Sequence, residues 1–225
     1  MSFLRKPPVN ELEAGQTGSL APARELPATG LGEILRTATR SAHHAIDHHP
    51  LLAPLVRQEL SLEHYGRVLR SFLWLYTPLQ DALALSIEQA GGGFELADRV
   101  GWLQADLARL GLAGELPPDP WQAPAMDSAE KLVGALYVVE GSTLGGQVIS
   151  RQVFASLGLT AQHGARFFNG WGDQTDLHWS AFWRFAGTLC KPAGHEAVAV
   201  AAVAFFDALR RGLDQSQEWQ GRPCN

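Results

Sequence analysis

Cysteine is nearly absent from this chain, with Cys190 and Cys224 the only two among 225 residues. Two thiols so placed make no disulfide framework, no zinc ribbon and no CxxC redox motif, and a reducing cytoplasm suits them best. Positive charge is scarce as well: 18 Lys and Arg stand against 23 Asp and Glu, a formal net charge of −5. No basic block stands out, so no nucleic-acid partner is expected. Long apolar runs are missing too. The longest, AVAVAAVAFF over Ala197–Phe206, is too short to span a bilayer, and the first residues lack a continuous apolar stretch, so neither a membrane association nor export is expected. No sustained apolar–polar alternation appears, which removes the strand signature, and no internal repeat is present. What remains is ordinary globular composition, 46% hydrophobic and 18% charged, long enough for a sizeable core.

Helical periodicity accounts for nearly all of the rest. Residues 1–29 carry Pro7, Pro8, Pro22 and Pro27 without sustained periodicity and read as a flexible N-terminal arm. From there Leu31, Ile34, Leu35, Ala38, Ala42, Ala45 and Ile46 recur at helical spacing until Pro50. Ser61 with Glu63 opens a long helix that stops at Gly91, Gly92 and Gly93, with Pro78 expected to kink it. Leu96–Leu110 reads as another helix. Asp127 with Glu130 three residues on resembles a capping box for the next, and two more cover Trp179–Leu189 and about His195 to Asp214. The expectation is an all-α, single-domain bundle of roughly seven or eight helices over residues 30–215, with 216–225 as a tail.

Two stretches depart from a bland helical pattern. In SAHHAIDHHP, four of the eight histidines fall within seven residues. At about 100° per residue, His43 lies at the margin of the apolar stripe and His44 on the opposite face. Arg36, Arg40 and Asp47 share the flank of His43. An imidazole at a core margin beside guanidiniums suits a flat apolar ligand that carries carboxylates, such as haem, although a margin histidine merely hydrogen-bonded in place fits the same pattern. His44 and His48, one turn apart, are a weaker pair for a divalent metal. In LYVVEGSTLGGQVISR, Gly141, Gly145 and Gly146 interrupt a helix whose interior each glycine weakens by roughly 1 kcal/mol against alanine. A bare face lets something wide and flat approach the backbone, or lets another helix cross closely.

These residues, with their neighbours, resemble the haem oxygenases, and most closely the bacterial branch that supplies biliverdin to bacteriophytochromes. The resemblance runs from about Leu31 to Asp214 and rests on LRTATRSAH at Leu35–His43, HYGRVLRSFLWLYTPLQDAL at His64–Leu83, LQADLARLGL at Leu103–Leu112, YVVEGSTLGGQVISR at Tyr137–Arg151, and GARFFNGWGD followed by Trp179. It implies haem sandwiched between a proximal helix and a kinked distal helix. On that reading His43 is the iron ligand and Gly141, Gly145 and Gly146 form the distal face. Arg36 and Arg40 face the haem carboxylates, with Arg184 a looser match. Tyr137 lines the pocket edge. The implied activity opens haem with O2 and electrons from a ferredoxin or similar donor, releasing biliverdin, carbon monoxide and ferrous iron, with a bacteriophytochrome as acceptor of the bilin.

One position departs from many members of that family. An aspartate commonly follows the first distal glycine, where it orders water; here Ser142 stands there. A hydroxyl orders water but supplies no carboxylate. Thr143 or a water chain is then the expected substitute. Two rivals follow: a haem-binding or haem-carrying protein without turnover, and a helical scaffold in which His43 and the glycines only pack.

Overall fold

Caps and glycines set the ends of the helices. In the computed structural model, which describes residues 30–220, helix α1 spans Gly30–Asp47 and α2 spans Leu62–Gln89. The Ser61 side chain accepts the His64 N–H at 3.1 Å, and the helix ends at Gly91–Gly93, all three at positive φ. Helix α3, Arg99–Leu110, starts three residues later than Leu96, because Asp98 accepts the Gly101 N–H at 2.9 Å and fixes the first turn there. Helix α4, Ala129–Leu157, is capped by Ser128, which accepts from Lys131 N at 3.3 Å. The expected Asp127–Glu130 capping box is therefore not formed; the Asp127 carboxylate instead pairs with Lys131 Nζ at 2.6 Å.

The later elements bring two further corrections. A one-turn helix, α5 (Arg166–Asn169), was not foreseen by periodicity. Its first amides, Arg166 N and Phe167 N, donate to the buried Asp106 carboxylate at 2.9 and 2.8 Å, so a residue of α3 holds it. Helix α6 spans Thr175–Leu189 and α7 His195–Gln220. The domain edge expected at 215 falls inside α7, where Ser216 is buried and its hydroxyl donates to Ser71 at 2.8 Å. Among the described residues there are no strands, in keeping with the all-α expectation. The arm at 1–29 and the last five residues of the expected tail lie outside the described residues.

Helix α7 is the shared support. It packs along both α1 and α4, whereas α1 and α4 meet each other only narrowly. The α4–α7 crossing needs Gly134: a Cβ there would come within 2.8 Å of Ala202 N and 3.0 Å of Val198 O. Both α4 and α7 are long and apolar enough to cross a membrane by length and composition alone, yet here they press on each other. Leu35, Leu69, Leu75, Leu79, Leu132, Leu136 and Phe182 are fully buried around them. Each such side chain contributes roughly 1.5–3 kcal/mol by leaving water.

Candidate functional site

The narrow meeting of α1 and α4 is where the site begins. Tyr137 of α4 reaches towards α1, its hydroxyl within hydrogen-bonding reach of the Thr39 side chain and its phenol in the field of Arg36. Burial raises the Tyr137 pKa more than these two lower it. Behind it stand Trp179, Phe182 and Trp183 of α6, with ring centroids 5.9, 6.4 and 6.2 Å from that of Tyr137. One turn beyond Thr39 along α1 is His43; one turn beyond Tyr137 along α4 is Gly141.

His43 is oriented from two sides. Its Nδ1 lies 2.9 Å from Asp47 Oδ2, and its ring meets the edge of Phe206 from α7 at 5.7 Å. The Asp47 hydrogen bond raises its pKa above the ordinary 6.5, more than burial lowers it. The side chain is 55% exposed. A neutral ring held at Nδ1–H by a carboxylate presents Nε2 as a lone-pair donor, the second-sphere arrangement that fixes the tautomer of a metal-binding histidine. His44 is exposed and stacks on His48 at 4.0 Å, away from this arrangement. No group of three or more His, Cys, Asp or Glu suited to a metal ion occurs among the described residues. Arg36 and Arg40 are exposed on α1 with no ion-pair partner among the described residues.

The three glycines of α4 separate by their surroundings. A Cβ on Gly141 would sit 3.6 Å from the Trp179 ring, in ordinary contact, and one on Gly145 would meet nothing within 4 Å. A Cβ on Gly146 would come within 2.7 Å of the Phe168 carbonyl oxygen. Gly146 therefore packs against α5, not towards the open face expected of all three, and only Gly145 has nothing within 4 Å. The Ser142 hydroxyl donates to Val139 O at 2.7 Å and that of Thr143 to Glu140 O at 2.6 Å, back-bonds of the kind that bend a helix. Arg184 is exposed one residue past Trp183, hence about 100° round α6 from the side facing Tyr137. The structure does not bring it to the other residues.

Sequence reasoning missed Phe206, Tyr76 and a buried ion pair. Tyr76, on α2, is buried; burial raises its pKa, while Arg99 and a hydrogen bond with Ser142 act against that rise. Arg99 Nη2 donates to Glu140 Oε2 at 3.0 Å, and burial, which alone would lower the arginine pKa, is outweighed by that carboxylate and Tyr76 together. Pairs 41 residues apart leave no local pattern. The nearest available signal was a charged Glu140 inside an otherwise apolar YVVEG run.

Comparison with known proteins places the chain among similar folds. The family model described as heme oxygenase matches residues 29–211. A curated heme oxygenase of Xanthomonas campestris pv. campestris is 32% identical over 104 residues, a segment covering 46% of this chain and 61% of that relative. Three solved structures share the fold. The heme oxygenase from Leptospira interrogans has a TM-score of 0.63 at 17% identity, covering 83% of this chain and all of the other. The NO- and CO-bound heme oxygenase from Neisseria meningitidis has 0.65 at 22%, covering 83% and 91%. Heme oxygenase-1 from the cyanobacterium Synechocystis sp. PCC6803, in complex with heme, has 0.62 at 14%, covering 86% and 96%.

Proposed function

Because the chain belongs to the haem oxygenase family, we propose that it binds haem between α1 and α4 and cleaves it oxidatively to biliverdin, carbon monoxide and ferrous iron. The observation that carries this reading is His43, with Nδ1 tied to Asp47 and Nε2 unpartnered among the described residues. Two others support the fit of a flat dicarboxylate: Gly145 opens onto free space, and Arg36 and Arg40 are exposed on the helix of His43 with no ion-pair partner among the described residues.

Haem, as the substrate, brings the iron at which O2 is reduced and the meso carbon that is attacked. The chain supplies the setting. His43 holds the iron through Nε2 as a neutral imidazole, and Asp47 keeps its ring from rotating. Arg36 pairs with a propionate through its fork of donors, and Arg40, one turn on, is the second candidate. Gly141 and Gly145 keep α4 low, so that a diatomic ligand has room over the backbone. The Ser142 hydroxyl, next in the chain to Gly141 and with Tyr76 behind it, orders water there; Thr143 is turned to the Glu140 carbonyl and to Gly170. Electrons come from an external donor, for which a soluble ferredoxin is the proposed class. A bacteriophytochrome is the proposed acceptor of the bilin, in a cytoplasmic setting.

Ser142 favours one rival, a haem carrier that does not turn over. Hemin titration of wild type and His43→Ala, then addition of a ferredoxin reducing system in air, separates the two. A His43-dependent Soret band that decays into biliverdin absorption supports the enzyme; a stable Soret under reduction favours the carrier.

A further inference from the structure

The buried pair of Arg99 and Glu140 has no part in the function proposed so far. The two side chains are 4% and 2% exposed. Taking two charges out of water is unfavourable, and apolar residues of like volume in place of such a pair frequently leave a protein as stable or more so. A pair kept for stability would close its remaining hydrogen bonds. This one leaves Arg99 Nη1 and Glu140 Oε1 buried without a partner among the described residues, a donor and an acceptor of the kind that hold an internal water.

Its other contacts lead to the glycine face. Arg99 Nη2 also reaches Val139 O at 3.4 Å, and that same carbonyl accepts the Ser142 hydroxyl at 2.7 Å. The Arg99 guanidinium lies 6.0 Å from the centroid of the Tyr76 ring, and the Tyr76 hydroxyl is directed towards the Ser142 side chain. Arg99 and Ser142 thus meet on the one Val139 carbonyl, with Tyr76 beside them and Glu140 as the counter-charge.

We propose that Arg99 and Glu140 are positioning residues: they fix Ser142 and Tyr76 beside the Gly141–Gly145 face and set the charge felt there. The inference rests on the haem reading.

The test compares wild type with Glu140→Gln, Arg99→Met and the double variant Arg99→Met/Glu140→Leu, each loaded with hemin. Three quantities are read: the pH midpoint of the ferric haem spectrum, kcat with a reducing system, and the melting of the haem-free protein. Glu140→Gln leaves an uncompensated cation and moves the midpoint down by about half a unit; Arg99→Met leaves an anion and moves it up by about as much. In both, kcat falls about tenfold while hemin affinity stays within about threefold. The double variant melts like wild type but keeps the low kcat. Midpoints that stay put or move the same way, or a double variant with wild-type kcat, overturn the proposal. Where the single variants fail to fold, the double variant decides alone. Wild type that binds no hemin sinks the haem reading and this inference together, whereas normal binding with unaltered variants sinks only the inference.

Discussion

Gly145 and Gly146 are neighbours in the chain, yet the missing side chain does different work at each. Gly146→Ala puts a methyl against the Phe168 carbonyl, and we expect a loss of about 1–3 kcal/mol in chemical denaturation. Gly145→Ala meets nothing and gains up to about 1 kcal/mol from helix propensity. Gly145→Leu should fold equally well but lose hemin affinity or turnover; unchanged turnover there removes the haem from that face. The GG pair was legible in sequence as a bare surface, but not which glycine faced which partner, because Phe168 arrives from another element. The wheel put His43 at the margin of the apolar stripe, where its ring does meet Phe206, while its proposed role as iron ligand rests on the LRTATRSAH resemblance. His43→Ala should abolish the ligated Soret spectrum and His44→Ala should spare it, since His44 stacks on His48 at the surface. The pH dependence has opposite signs for fold and ligand. Asp47 raises the His43 pKa in the folded chain, so the charged ring adds stability that is full below about 6.5 and is lost as pH rises through the raised value. Iron needs the neutral ring, so hemin affinity falls over the same range as pH drops. Asp47→Asn should flatten both trends, as melts and hemin titrations at about pH 6 and pH 8 will register.

Helices whose apolar face repeats along their own length were readable, which is why α1, α2, α4 and α7 emerged from periodicity. Their ends were less so, because an end depends on one hydrogen bond. Ser128 and Asp127 are equally good caps by residue type, and only the backbone path selects Ser128. Ser128→Ala should lower stability by about 1 kcal/mol, and Asp127→Ala, which removes only an exposed ion pair, should cost less; the reverse ranking in denaturant melts would restore the capping box. Helix α5 was beyond local reading altogether, since four residues carry no period and its cap, Asp106, lies 60 residues away from Arg166. At the other end of the chain, a stop codon after Asp214 removes the Ser216 and Gln220 bonds to Ser71 and should cost about 1–3 kcal/mol.

For the molecule as a whole, the motif order along the chain carried the family, and the all-α architecture followed from the missing strand signature. The way three helices share one site did not follow from either. His43 stands on α1 and the glycines on α4, but the two helices barely touch, and each is seated on α7. The distance between the walls is therefore measured out at the Gly134–Ala202 crossing, two turns from Gly141, and at the edge of Phe206 beneath His43. On the proposed haem reading, spacing and ligand chemistry are thus inherited separately. A methyl gained or lost on α7 would shift α1 against α4, and so suit a bulkier or slimmer macrocycle, while His43 and the glycines stay the same.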